Sequence, residues 1–219
     1  MMLPPAPDLN LSPREAVARQ RELAEGVREE PLPPLGTVAG VDVSVREGRV
    51  RAAVVVLALD GLRVVDHATW EGPVAFPYVP GLLSFRELPA IWPALERLRV
   101  APDAFLLDAQ GRAHPRRFGL ACHLGVLLDR PAVGVAKSLL VGRHGDLGAP
   151  KGSTSDLVHR GEVVGRAVRT RAGVAPVYVS VGHRCTLDDA VALTLHCASR
   201  YKLPQPTHLA HRLSKHGAL

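Results

Sequence analysis

Aromatic side chains make up only 4% of the 219 residues, too few for a surface that binds single strands by stacking base after base on ring faces. Cysteine is scarcer still. Cys122, Cys185 and Cys197 are widely spaced, with no CxxC pair and no nearby His at zinc-ligand spacing, which argues against a disulfide framework and a structural zinc. They are expected to be small core residues in a reducing compartment. No apolar run approaches the length of a membrane span, and "MMLPPAPDLN" lacks the basic segment and apolar stretch of an export signal. The expectation is a cytoplasmic protein without membrane association. Internal repeats and low-complexity tracts are missing as well.

What is present is an apolar content of 47%, enough for one sizeable core and one domain over residues 1–219. Lys and Arg number 27 against 21 Asp and Glu, a net charge of +6. That balance suits a polyanionic partner without identifying one.

"LSPREAVARQRELAEGVREE" reads as an amphipathic helix capped by Ser12, with Pro13 in its first turn and Ala16, Ala18, Leu23 and Val27 as a modest apolar side. Three β-type runs follow, "VAGVDVSV", "RVRAAVVVLAL" and "LRVVDHATWEG", and the turn signals "REG" and "DG" between them predict an antiparallel meander. The pattern then alternates. "AIWPALERLRV" is helical with a bend at Pro93, "DAFLLDA" and "PAVGVAKS" are buried strands, and "PRRFGLACHLGVLLDR" between them is a crossover helix. "EVVGRAVRT" and "PVYVSVG" suit a hairpin. "TLDDAVALTLHCASRYKL" is a helix with a capping box at Thr186 and Asp189, and "PQPTHLAHRLSKHGAL" is a tail that begins in a Pro-rich turn. A meander followed by a βαβ unit is an α/β arrangement, the ribonuclease H-like mixed sheet flanked by helices on both faces.

The carboxylates carry the first functional signal. Asp42 stands between valines in a strand that is otherwise apolar, and an unpaired buried carboxylate is strongly unfavourable. Asp108 ends the run "FLLD", where open α/β sheets present ligand-binding residues, although an Asp there also serves as a turn former or helix cap. If the first and fourth strands are neighbours, the two side chains converge, and a hard divalent cation such as Mg²⁺ or Mn²⁺ resolves their repulsion. Such a centre can activate water against a phosphodiester. Glu87 in "SFRELP" reads equally well as a solvated first-turn carboxylate. His114 follows Asp108 in a Gly-containing loop. Lys137 ends the next buried strand, where it suits a phosphate oxygen or a developing anion.

"FPYVPGLLSFRE" holds Tyr78 and Val79 between Pro77 and Pro80 in a stiff tip. A stiff exposed ring can wedge into a base stack or cover an extruded base, though Pro and Tyr are also ordinary turn chemistry. His183 and Arg184 in "VGHR" either pin a strand–helix junction or contact phosphate. "GRHGDLGAPKGS" reads as a mobile loop that offers Arg143 and Lys151 to a polyanion.

"GVDVSV", "PYVPGLLSFRE", "AHPRRFGLACHLGV", "GVAKS", "VSVGHR" and "LPQPTHLAH", in that order, closely resemble the endonuclease V family, the deoxyinosine 3′ endonucleases, over roughly Leu35 to Leu213. The resemblance implies DNA repair by Mg²⁺-dependent hydrolysis, with Mn²⁺ able to substitute. The cut falls at the second phosphodiester bond 3′ to a deaminated adenine and leaves 3′-hydroxyl and 5′-phosphate ends. Carried over by motif, Asp42, Glu87, Asp108 and His211 are the metal ligands, and His114 and Lys137 the catalytic residues that contact phosphate. Pro77, Tyr78, Val79 and Pro80 form the strand-separating wedge. Gly81, Leu82, Leu83, Gly111 and Leu140 line the pocket for the flipped base. The implied partner is DNA containing deoxyinosine; a monomer is expected, although the sequence does not itself give the oligomeric state. The chain departs from the family's pattern at "DAQG", where Asp-Gly, then His or Asn, then Gly is usual, so that Ala109 brings a methyl group and Gln110 a different side chain to the pocket. An endoribonuclease specific for inosine-containing RNA, or a binder of deaminated bases that does not cut, stands as the alternative.

Overall fold

The computed structural model describes residues 3–218. Strands β1 (Thr37–Arg46), β2 (Arg49–Ala58) and β3 (Arg63–Pro73) form the antiparallel meander. Strand β4 (Ala104–Leu107) then runs parallel to β1, and β5 (Ala132–Ala136) parallel to β4. Three further strands, β6 (Thr154–His159), β7 (Glu162–Val168) and β8 (Val177–His183), complete an eight-stranded sheet in the order β3-β2-β1-β4-β5-β8-β7-β6. β7 and β8 pair antiparallel, as the hairpin reading requires, and β8 is antiparallel to β5. β6 lies outside the sequence expectation: "TSDLVH" alternates without an apolar run, because it is an edge strand with one buried apolar residue, Leu157.

Helices α1 (Pro13–Ala24), α2 (Leu83–Glu96), α3 (Leu120–Leu128), α4 (Leu187–His196) and α5 (Gln205–His216) cover the sheet. Ser12 and Glu15 close a reciprocal capping box on α1, as Thr186 and Asp189 do on α4. Two helical readings are corrected. α2 begins at Leu83 rather than Ala90, because Leu82, Phe85, Leu88, Ile91 and Leu95 keep a helical apolar spacing through Pro89. Residues 205–216, read as a tail, form α5, which packs on β1 and β2.

Side chains alternate faces along a strand, and this parity assigns each residue a side. Val38, Ala53, Val55, Leu106, Val133 and Val135 pack with Ala190, Val191, Ala210 and Leu213 of α4 and α5. Ala39, Val41, Val54, Phe105 and Leu107 pack against Leu88, Ile91 and Leu95 of α2 and Leu120 and Leu124 of α3. Cys122, Cys185 and Cys197 are free and buried, as expected. No helix among the described residues is long and apolar enough to cross a membrane.

The seating of α5 rests on Gly40. A Cβ added there would lie 2.0 Å from the Pro206 carbonyl oxygen, so the first turn of α5 touches bare β1 backbone. Gly40→Ala is therefore expected to lower stability by about 1–3 kcal/mol and to lift α5 from the sheet. Urea unfolding together with protease sensitivity near residue 205 measures both effects.

Candidate active site

Asp42 shares the parity of Val38 and points toward α5. Asp108 shares that of Leu106, and Lys137, just past β5, that of Val135. Three residues distant in sequence thus reach one face. The β1–β4 register pairs Val41 with Leu107, and Asp108 donates its backbone N–H to the Val41 carbonyl at 3.3 Å, so the two aspartates are side by side. α5 closes the group from above. His211 Nδ1 lies 3.3 Å from Asp42 Oδ2, and the Ser214 hydroxyl donates to the same oxygen. Lys137 pairs with the Asp108 carboxylate, and its Nζ is 3.5 Å from His211 Nδ1.

One ligand atom from each of Asp42, Asp108 and His211 falls within a mutual 4.8 Å. Oxygen ligands held at about 2.0–2.6 Å from one hard cation are at most ~5 Å apart, so the span fits a single ion. The donor set agrees. Asp42 is 9% exposed, and burial drives the Asp108 carboxyl above its ordinary value despite the pull of Lys137. Glu87, in the second turn of α2, is pushed up to about 8, first by burial and then by the charges of Asp42 and Asp108. It is close to the centre but outside the three-residue cluster. Two aspartates brought side by side with a third carboxyl close by suit a divalent cation. The first-turn, solvated reading of Glu87 is corrected: the early start of α2 carries it inward.

His114 goes elsewhere. It is buried, with Nε2 3.1 Å from the Gly81 carbonyl and Nδ1 accepting the Arg116 backbone N–H at 3.2 Å. These contacts put the proton on Nε2. Burial, then the Arg116 charge, lowers its pKa to about 4. Both ring nitrogens are engaged in the wall of a second cavity, so the structure does not bring His114 to the carboxylates.

That cavity, of about 140 Å³, adjoins the tip. Tyr78, Val79, Pro80, Gly81 and Leu83 form one wall, and Ala109, Gln110, Leu120 and Leu140 face them. Tyr78 is 70% exposed at the tip, with the Arg86 guanidinium 5.8 Å from its ring centroid. Pro77 is exposed beside it. Two residues expected in the pocket are not in its wall. Leu82 is buried with Phe76 and Phe85 beneath the tip. Gly111 packs on β8, where its N–H is bonded by the Ser180 hydroxyl oxygen at 2.9 Å and an added Cβ would meet the Val181 carbonyl at 2.1 Å.

Gly81 has φ +80°, a conformation open to glycine. Its carbonyl accepts from Gln20 Nε2 at 3.0 Å, from His114 Nε2 and from Arg116 Nη2 at 2.7 Å. Gln20 was missed by the sequence reading, yet it left a signal: Ala16, Gln20 and Leu23 share one helical stripe, and Gln20 is its polar member. Ser214 was missed too. Its signal is the spacing of three from His211, which puts both on one helix face. Lys202, whose Nζ donates to the Lys137 carbonyl at 3.2 Å, gave none.

His183 and Arg184 pin a junction, through Asp129 for both and Glu30 for Arg184. Lys151 donates to the Ala198 carbonyl at 2.7 Å, and the Arg143 backbone pairs with Val158, so part of the supposed mobile loop is tied down.

A meander-led mixed sheet with acidic residues on β1 and just past β4, gathered under a histidine-bearing helix, defines a nuclease of the ribonuclease H-like class. The model of the family described as Endonuclease V matches residues 20–212, and the chain belongs to that family. It is 49% identical over 208 residues to endonuclease V of Trichormus variabilis, covering 93% of this chain and 94% of that one. The crystal structure of endonuclease V from Streptomyces avermitilis superposes with a TM-score of 0.91 at 47% identity, over 98% of this chain and 96% of that one. Ciona intestinalis endonuclease V, solved with a 23mer DNA containing an inosine followed by a ribo-adenosine, gives 0.82 at 26% identity over 94% and 97%.

The depressed pKa of His114 has a measurable consequence. Below its ordinary 6.5 the unfolded chain takes up a proton that the folded chain refuses until about 4. The His114 contribution is thus complete above pH 6.5 and declines as pH falls toward 4. Glu87, raised to about 8, acts in the opposite direction over the same range, so the test is the difference between proteins: on going from pH 7 to 5, His114→Gln, which keeps an amide N–H but does not titrate, should change in urea-unfolding stability less unfavourably than the parent by roughly 1–2 kcal/mol.

Proposed function

We propose that the chain cuts nucleic acid beside a deaminated purine, hydrolysing the second phosphodiester bond 3′ to deoxyinosine in DNA. The observation that carries this reading is the adjacency of two sites, a cluster that fits a divalent cation and a small cavity behind an exposed, proline-braced tyrosine. At about 140 Å³ the cavity is well below the roughly 300–1,000 Å³ of drug-sized pockets, a size suited to one base. The DNA bound to the Ciona relative contains inosine, and the net charge of +6 favours a polyanion.

Asp42, Asp108 and His211 would hold the cation, Mg²⁺ by preference with Mn²⁺ able to substitute, and Glu87 is close to the two aspartates. When bound, such an ion lowers the pKa of water and neutralises charge on a phosphoryl oxygen. Ser214 and His211 fix the Asp42 carboxylate in place. Lys137, at the rim, offsets the negative charge that develops on phosphate. Water adds to phosphorus as the bond to the 3′ oxygen breaks. The proton goes to that oxygen, giving 3′-hydroxyl and 5′-phosphate ends. Tyr78, with Pro77, Val79 and Pro80, parts the bases, and the extruded base enters between Gly81, Leu83 and Leu140. His114 acts on the Gly81 carbonyl as a positioning residue.

The ribo-adenosine beside the inosine in the Ciona complex favours a second reading, cleavage of inosine-containing RNA. One incubation series tests both. A duplex with a single deoxyinosine should be nicked one nucleotide beyond the lesion's 3′ neighbour bond in Mg²⁺ and left intact in chelator. Asp108→Ala should reduce the rate at least about 10³-fold. Equal rates for parent and variant, or cuts at random positions, refute the assignment, and faster cutting of the matched inosine RNA strand moves the substrate to RNA.

A further inference from the structure

In the cavity wall nearly every polar side chain is already engaged. Gln20 and His114 are bonded to the Gly81 carbonyl, and the Ser84 hydroxyl lies 2.9 Å from His123 Nδ1. Gln110 is the exception among the buried ones. Its Nε2 donates to the Ser138 carbonyl at 2.9 Å, while its Oε1 is buried and has no hydrogen-bond partner. The contact with Ser138 also fixes which way the amide faces, since reversing it would oppose two acceptor oxygens. A residue of the cavity wall therefore carries an oriented acceptor that is covered and has no partner, an arrangement that is unfavourable until a donor reaches it.

We infer that Gln110 is a specificity-determining residue whose Oε1 accepts the N1–H of a lactam purine in this cavity. This rests on the reading of the cavity as a base pocket. The chemistry separates the bases. A 6-oxo purine such as hypoxanthine carries a proton at N1, whereas N1 of adenine is an acceptor and would face Oε1 lone pair to lone pair. A site built to hydrogen-bond one group rejects analogues that leave its polar atom unpaired. Guanine has the same N1–H, so discrimination against it falls to the apolar wall, including Ala109.

The test compares kcat/KM in Mg²⁺ for two otherwise identical oligonucleotides, one with deoxyinosine and one with deoxynebularine, a purine with a bare N1 acceptor. The ratio of the two values is independent of the fraction of protein that is folded. The parent should prefer deoxyinosine by about tenfold or more, and Gln110→Met, similar in length but without the acceptor, should reduce the ratio by about tenfold, chiefly through loss on deoxyinosine. Gln110→Glu, which keeps an acceptor, should retain more of the preference than Gln110→Met. A parent that cuts deoxyinosine alongside a Met variant with an unchanged ratio overturns the role of Gln110 alone. A parent that cuts neither oligonucleotide overturns the nuclease reading and this inference with it.

Discussion

The contact of α5 with β1 at Gly40 is the constraint on which the centre depends. Asp42 is buried on a strand whose neighbours are apolar, and the helix that covers it supplies His211 and Ser214 to the same carboxylate oxygen. That closeness is available because the helix meets backbone rather than a side chain two residues before Asp42. The C-terminal helix is thus an integral wall of the centre.

Strand parity then divides the labour across the sheet. Asp108 follows Leu106 onto the α5 face and joins the charged cluster, while Ala109, one residue later, falls on the α2 side and lines the cavity. A single peptide step separates the chemistry of a cation from the recognition of a planar group. The two sites are held at a fixed offset by the end of one strand, and α2 reinforces it, with Leu83 in the cavity wall and Glu87 one turn on, beside the carboxylates.

Much of this was legible in the chain. The meander, the parallel pair β4 and β5, and the convergence of Asp42, Asp108 and Lys137 follow from apolar runs, turn residues and a period of two. Elements whose periodicity was masked were harder to read. Pro89 hides the first half of α2, and with it the inward path of Glu87. α5 opens "PQPTHLAH", which reads as a turn, and its helicity is secured by packing on β1 rather than by propensity. β6 is an edge strand with little to bury. His114 shows a different limit. Its place in a loop after Asp108 was visible, but not that its imidazole turns toward Gly81, because side-chain direction in a loop is set by partners as remote as Gln20.

The Gly81 carbonyl, gripped by three donors from α1 and the 114–116 loop, makes the tip a cantilever with a clamped root. With prolines stiffening both sides of Tyr78, a load on the ring is transmitted to α1 and the 114–116 loop instead of being dissipated as local bending. Deflection at the ring therefore reports on the firmness of an N-terminal helix that contributes no group to the acidic centre.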